Sequence, residues 1–570
     1  MTIGKLHRFP HDPVLAKLLH ASTNRSDSAI VIHDVCGYEK SYSQLFGDVI
    51  RTRNELLMQL PSSIIDEHGI LHQETPYIPV LTRSGYEFLV AFFAIRAIGG
   101  ACIPFGSGIL PEEASHFLSI TKATCILIGS NDCIERAAKI AAFINSQGGT
   151  AFTLPISHDA EPIRASNVDI DEGVQLAPDG PGMVLFTSGT TGLPKGAILP
   201  RNCFTNVSLA KPGEACINYR PGHWIGGART LIMPMLSGKE LYTLGEKGSA
   251  KEVLNAFRTH RITQAAFTPT LLRNMRELLI NSDGQVPNEK RDEYASWFKA
   301  LDGLKCSAGM IDHSILKFWT DLTGLHMYIG YSATELGGLT IATRDPVTTI
   351  SLIGSPIPNI KVKLSEGNTG EILVKSPFML IGYVGEDDLT RAAFDEEGYY
   401  KTGDLAELRD GQYYFTGRKN HDFAFFRFFR IPLQKVEQSL LDLSYISEAC
   451  VLAIPDHEAK ELCAAAIRLD ATSSVPAPEI SLARIRSDLM QSLPMYMLPA
   501  ILRILKDGEE IPRNISGKVV KAAVRRELFA TTDWWPHSNP PAEVEYWGNM
   551  PPIFEAATRP WDWCGVQRAD

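Results

Sequence analysis

The sequence predicts an α/β protein: a large N-terminal domain of layered sheets and helices, followed by a small α+β C-terminal domain. Three observations lead there. The chain has 570 residues, more than one hydrophobic core organises, so two or more domains are expected. From about Ala29 to Gly411, apolar strand-like runs alternate with helical patterns, the mark of α/β layers. From Asp404 the texture changes to short strands and turns.

Taken in order, Tyr77 to Leu81 reads as a buried strand and Tyr86 to Ala94 as the helix after it. Cys125 to Gly129 and Glu135 to Phe143 repeat that pair. Met183 to Phe186 is a further strand-like run, and the polar segment from Asn281 to Arg291 reads as an exposed loop. Glu407 to Phe415 opens the region of short strands, and a smaller α+β unit runs through about Phe529. The boundaries drawn are 1–419 for the large domain, 420–529 for the small one and 530–570 for a tail. That tail holds five of the eight tryptophans with several prolines, a composition suited to wrapping a domain surface.

Composition excludes several classes. Hydrophobic content of 44% with 21% charged residues is ordinary for a soluble globular enzyme. A net charge of −10 gives no basic face for nucleic acid. No run of about 18 apolar residues suggests a membrane span, and the N-terminus lacks the apolar core of a signal peptide. The ten cysteines are scattered without metal spacing, as expected of reduced thiols in a cytoplasmic protein. The final residues, Gln567 to Asp570, are not a peroxisomal address.

The most informative stretch is Thr187-Ser188-Gly189-Thr190-Thr191-Gly192-Leu193-Pro194-Lys195-Gly196. Its glycines let backbone N–H groups approach an anion, its hydroxyls add donors, and Lys195 adds a point charge. The spacing is not that of the Walker loop, and Gly/Ser/Thr clusters also make plain surface turns. The stretch resembles the phosphate-binding segment of the adenylate-forming superfamily: acyl-CoA synthetases, adenylation domains of peptide synthetases, and luciferases.

Further segments match that family in order. Tyr328 to Glu335 resembles its Y-G-x-T-E segment. The resemblance implies that Tyr331 stacks on adenine, Thr334 meets phosphate and Glu335 holds Mg²⁺, a hard cation suited to carboxylate oxygen. By itself a Thr-Glu pair is more often a helix cap. The family glycine is Ser332 here. Tyr400-Lys401-Thr402-Gly403-Asp404-Leu405 implies that Asp404 accepts hydrogen bonds from ribose, and Gly417-Arg418 implies Arg418 near ribose and phosphate. Gly370-Glu371-Ile372 and Gly382-Tyr383 fill family positions read as structural. Ile511 to Lys518 resembles the small domain's P-x-x-x-x-G-K motif, which makes Lys518 the catalytic lysine for phosphoryl chemistry. Weaker matches at Tyr42 to Leu45 and Ala97 to Pro104 extend the resemblance over roughly residues 28 to 520.

The pattern departs after Arg418. The family lysine is Phe425 and its glycine Phe428. In the family that glycine lies where the rotated, mobile small domain admits the pantetheine arm, so Phe428 would narrow the tunnel unless an insertion shifts the loop. His421 or Asp422 is the candidate hinge. Amino-acid-activating relatives carry an aspartate where this chain reads His223-Trp224-Ile225-Gly226-Gly227-Ala228-Arg229, so an α-amino acid is disfavoured. His223 and Trp224 are candidates for an acyl pocket, with packing in a core as the plainer alternative. Arg229 is a candidate partner for a second carboxylate or a surface arginine, and Ser307 to Met310, with Ser307 and Gly309, is a further wall.

The resemblance implies ATP-dependent activation of a small carboxylic acid as acyl-adenylate, with Mg²⁺, then thioester formation with coenzyme A. The alternatives are transfer to an amine or a carrier-protein thiol, and a non-catalytic nucleotide-binding scaffold.

Overall fold

The computed structural model describes residues 6–549, apart from 73, 75, 131, 188–194, 246–247, 282, 348, 350, 420–422, 427–428, 457–458, 471–474, 477–478, 514–518, 532–534 and 537–539. A seven-stranded sheet organises the first part of the chain. Its spatial order is Gly382–Tyr383, Lys195–Pro200, Pro181–Thr187, Ala101–Phe105, Tyr77–Leu81, Cys125–Ile128 and Phe152–Pro155. The last five strands run parallel. Parallel strands covered by helices are apolar throughout, and Ala101–Phe105 and Cys125–Ile128 are buried at every position.

Alternate strand residues serve opposite faces. Val80 and Leu127 join the main core, whereas Leu81 and Ile128 join a second cluster under the helices Pro111–Thr121 and Asp132–Ser146. The helix Tyr86–Arg96 is apolar but for Glu87 and Arg96, and it is wholly buried. Its first N–H is capped from another strand, by Asp34 Oδ2 at 2.7 Å.

A buried charge cluster pins this core. Arg96 donates to Asp12 Oδ2 at 2.5 Å and to the Arg201 carbonyl at 3.0 Å, and Arg201 donates to the Gly99 carbonyl at 2.7 Å. Asp12 also caps the helix Pro13–Ser22. Removing one partner of a buried pair strands the other charge. Asp12→Ala is therefore expected to destabilise the large domain by about 3–5 kcal/mol in chemical denaturation.

A nine-stranded sheet follows, in the order Ala266–Phe267, Leu304–Ser307, Met327–Ala333, Gly338–Ala342, Leu352–Pro356, Gln412–Arg418, Tyr400–Arg409, Thr369–Lys375 and Lys361–Glu366. The segment read as an exposed loop from Asn281 to Arg291 instead enters a helix, Asn288–Trp297, none of whose residues is buried. Without an apolar face, its sequence carries no helical period to detect.

From Phe423 a six-stranded sheet builds a separate core around Val451, Ala465, Ile501 and Phe529. Trp535, Val544, Tyr546 and Trp547 belong to that core, and the strand Val544–Tyr546 pairs antiparallel with Ile501–Ile504. Arg486 lies over the Trp547 ring at 4.4 Å. Among the described residues, no helix is long and apolar enough to cross a membrane.

Candidate active site

The glycine- and hydroxyl-rich stretch spans a hairpin. Pro181–Thr187 and Lys195–Pro200 pair antiparallel, Thr187 opposite Lys195, with the Thr187 hydroxyl 3.5 Å from the Lys195 carbonyl. Ser188, Gly189, Thr190, Thr191 and Gly192 lie outside the described residues.

In the nine-stranded sheet, Met327–Ala333 carries Tyr331 and Ser332, both partly buried. The pairing slips between them, Tyr331 opposite Ile341 and Ser332 opposite Leu339. Such a bulge re-aims side chains and is frequent next to active sites. The chain then turns through Thr334 and Glu335 into Gly337 and Gly338. Both glycines have positive φ, 70° and 113°, which L side chains rarely adopt. A Cβ on Gly337 would sit 2.1 Å from the Phe378 carbonyl oxygen, and one on Gly338 would sit 2.4 Å from Arg229 Cδ. Arg229 is partly buried and donates to the Gly337 carbonyl at 3.0 Å, so it braces this turn. Burial pushes its guanidinium below the usual range.

Asp404, 4% exposed, is the centre of the polar network. The Tyr331 hydroxyl donates to Oδ2 at 2.6 Å and Arg418 Nε donates to Oδ1 at 2.7 Å. Burial and then the Asp404 carboxylate hold the Tyr331 phenol far above its ordinary range, so it stays a donor. Each carboxylate oxygen keeps a free lone pair for another hydroxyl. The supporting turn is equally fixed: Gly403 N–H donates to Glu371 Oε1 at 2.8 Å, Lys419 Nζ lies 3.3 Å from Glu371 Oε2, and the Thr402 hydroxyl donates to the Ile372 carbonyl at 2.8 Å.

Two tyrosines lie near Glu335: Tyr383, which sequence reasoning left in a structural role, and Tyr400, to which it gave no role of its own. Burial, followed by the nearby Glu335 charge, pushes the Tyr383 phenol up to about 12. Tyr400 is shifted upward by the same causes, and its hydroxyl lies 3.2 Å from that of Tyr383. Both positions stood inside quoted motifs; an aromatic residue ending in a hydroxyl was the available signal.

At the proposed acyl side, Trp224 is the N-cap of the helix Ile225–Ser237, which packs against Gly338–Ala342. The His223 ring is edge-on to Trp224, with centroids 5.6 Å apart. Among the described residues its Nδ1 is buried without a hydrogen-bond partner, and burial pushes the ring down to about 4, so the imidazole is neutral at pH 7. A Cβ on Gly106 would come within 3.0 Å of that ring. Ser307 pairs with Gly330 in the neighbouring strand, and Ala308 between Ser307 and Gly309 is left-handed at φ 69°.

Lys518 lies outside the described residues. Arg513 and Val519 on either side of that segment pair as an antiparallel bridge, and Arg513 is held by Glu448 at 2.7 Å. His421, Asp422 and Phe428 also lie outside the described residues. Phe425 is 39% exposed, its N–H donates to Glu461 Oε2 at 2.6 Å, and the Lys460 ammonium sits 4.5 Å from its ring centroid.

Among the described residues, no group of three or more His, Cys, Asp and Glu side chains could hold a metal ion. One carboxylate, Glu335, fits Mg²⁺ of the kind that takes one or two protein oxygens and completes its shell with phosphate and water.

A glycine- and hydroxyl-rich hairpin, a tyrosine joined to a buried aspartate and arginine, and a carboxylate on a tight turn define a nucleotide-using enzyme of layered α/β build. The chain belongs to the family of AMP-binding enzymes, which matches residues 54–384. It is 32% identical to the acyl-CoA ligase oryP of Aspergillus oryzae, over 91% of this chain and 92% of that one. It is 24% identical to a malonate–CoA ligase of Arabidopsis thaliana, over 79% and 78%. The fold is shared with ATP-bound MatB from Rhodopseudomonas palustris at TM-score 0.71 and 19% identity, covering 90% of this chain and 98% of that one. It is shared too with the O-succinylbenzoate coenzyme A synthetase of Bacillus subtilis bound to ATP and magnesium, at TM-score 0.69, 19% identity and coverage of 90% and 99%.

Proposed function

We propose that this enzyme joins a small carboxylic acid to coenzyme A at the expense of ATP. The observation that carries this reading is the Tyr331–Asp404–Arg418 network, with the Glu335 turn linked through Leu380 and Ile381 to the arm of the Thr187–Lys195 hairpin. The Tyr331 ring offers a face to adenine, Asp404 receives the ribose hydroxyls, and Arg418 balances the Asp404 charge while reaching toward ribose and phosphate. Lys195 and the loop it closes hold the outgoing phosphates, and Thr334 donates to phosphate.

The acid's carboxylate oxygen attacks the α-phosphorus, the bond to the bridging oxygen breaks, and pyrophosphate leaves. Lys518 stabilises the charge gathered on the phosphoryl and carboxylate oxygens. Glu335 would hold Mg²⁺, which would supply charge neutralisation at the nucleotide phosphates. Rotation of the small domain then withdraws Lys518, and the thiolate attacks the acyl carbon as AMP departs. The neutral His223 and Trp224 line the acid's tail, with Ser332, Ser307 and Gly309 as the opposite wall. Arg229 braces the Gly337 turn, and its other N–H groups stay open to a second carboxylate. The half-exposed Phe425, where the family has lysine, favours a carrier-protein thiol as a second reading for the acceptor.

Isotope exchange between pyrophosphate and ATP across a panel of carboxylic acids tests the first half. Exchange that depends on one chemical group of acids is expected; none with any acid overturns the enzyme reading and favours a scaffold.

A further inference from the structure

The helix Ile225–Ser237 begins without a cap. Its N-cap, Trp224, makes no side-chain hydrogen bond to it, and the N–H groups of Ile225, Gly226 and Gly227 meet no acceptor among the described residues. Against that first turn lies a guanidinium. A Cβ on Gly226 would come 2.8 Å from Arg220 Nη1, so the glycine gives the arginine its room. Arg220 is 8% exposed. Its Nε and Nη2 donate to the Tyr219 hydroxyl at 3.2 and 3.0 Å, and Nη2 also donates to the Ala266 carbonyl at 2.8 Å. Both acceptors are neutral. Among the described residues no carboxylate pairs with Arg220, and its Nη1 has no acceptor. The buried Arg96 and Arg503, by contrast, face Asp12 and Glu509. A buried charge left unpaired is costly, and the open helix start adds to the same positive field. The unburied residues of this helix, Gly226, Arg229, Thr230 and Met233, recur at helical spacing and form one face. That face runs from the Arg220 guanidinium to the Glu335 turn, where Arg229 bonds the Gly337 carbonyl. Ala266 lies in the strand beside Leu304–Ser307, and Pro269 just beyond that strand is 3.4 Å from where a Cβ on Gly309 would be. Arg220 thus stands between the His223–Trp224 turn and the strand that leads to the Ser307–Gly309 wall.

We propose that Arg220 and the uncapped first turn of this helix bind a second carboxylate of the substrate, so that the acid this enzyme activates is a dicarboxylic acid. The proposal rests on the acid-activating reading above. One carboxylate attacks the α-phosphorus. The other, at the far end of the molecule, accepts from Arg220 Nη1 and from the N–H groups of the first turn, donors well matched to a planar anion. Binding supplies the negative charge that the fold withholds from Arg220. An acid with a neutral tail leaves that charge buried and unpaired, so the site rejects monocarboxylic acids as well as favouring diacids. Arg229, tied to the Gly337 carbonyl, braces the reacting end.

The test is pyrophosphate–ATP exchange by the full chain with dicarboxylic acids of increasing length, each compared with its own monomethyl ester. The best diacid is expected to exceed its half-ester in kcat/KM by about 100-fold or more. In Arg220→Met that ratio falls below about threefold, whereas Arg220→Lys, which keeps the charge without the fork, holds it at about tenfold. Calorimetric ATP binding checks that each variant is folded. Arg220→Gln, which also loses the charge, is expected to show the same collapse and takes the place of Arg220→Met if that variant fails to bind ATP. A ratio near one in the parent, with exchange intact on monocarboxylic acids, overturns the proposal and leaves acid activation standing. A preference that survives in a charge-free Arg220 variant, or that is lost in Arg229→Met alone, overturns it as well. Exchange with no acid at all overturns the acid-activating reading itself, and the proposal with it.

Discussion

Lys518→Ala is expected to lower acid-dependent pyrophosphate exchange by about 100- to 1,000-fold, the usual cost of deleting one group aimed at developing transition-state charge. An ammonium that meets the α-phosphate and the attacking carboxylate serves adenylation alone. Conversion of supplied acyl-adenylate to thioester is therefore expected to stay within a few-fold of the parent. The ion pair of Arg513 with Glu448 and the bridge from Arg513 to Val519 leave the base of this segment intact in the variant. Exchange that survives undiminished would remove Lys518 from the chemistry. Equal loss in both half-reactions would instead assign it to the fold of the small domain.

The second large effect is Asp404→Ala. It takes away the acceptor of both the Tyr331 hydroxyl and Arg418 Nε and leaves a buried phenol without a partner. A lost charged hydrogen bond costs about 1.5–3 kcal/mol, and the ribose contacts add to it. The expected outcome is a fall in kcat/KM for ATP of about 100-fold or more, mostly through KM. The acid's KM stays near the parent value, because the side-chain bonds of Asp404 go to Tyr331 and Arg418. Tyr331→Phe removes one of those bonds and is expected to cost about tenfold or less. Steady-state kinetics with ATP and acid varied separately check both. An effect confined to the acid's KM would misplace the nucleotide.

Much of the fold and of this site was legible because its parts are local in sequence. The strand runs at Tyr77–Leu81 and Cys125–Ile128 carry their own apolar pattern. Tyr331, Asp404 and Arg418 each sat in a short motif, and the structure joins all three. What was not legible depends on contacts between distant segments. Glu371 reaches Gly403, 32 residues on, to shape the turn before Asp404. Tyr383 and Tyr400 meet across 17 residues, and neither neighbourhood announces Glu335. Arg229 offered a surface residue or a substrate partner from sequence. Only the close approach of Gly338 shows it bracing the turn that carries Glu335. The aromatic tail looked like a surface wrap because tryptophan and proline have no period. Among its described residues, Val544–Tyr546 pairs with Ile501–Ile504.

The central claim is the conversion of acid, ATP and coenzyme A into acyl-CoA. Its most direct test is mass-spectrometric product analysis of the full chain with ATP, Mg²⁺, coenzyme A and the acid selected by exchange. The account predicts AMP, pyrophosphate and acyl-CoA in equal amounts, with the acyl-adenylate accumulating when coenzyme A is left out. Adenylate that persists unchanged in the presence of coenzyme A, or ADP as the nucleotide product, would contradict it.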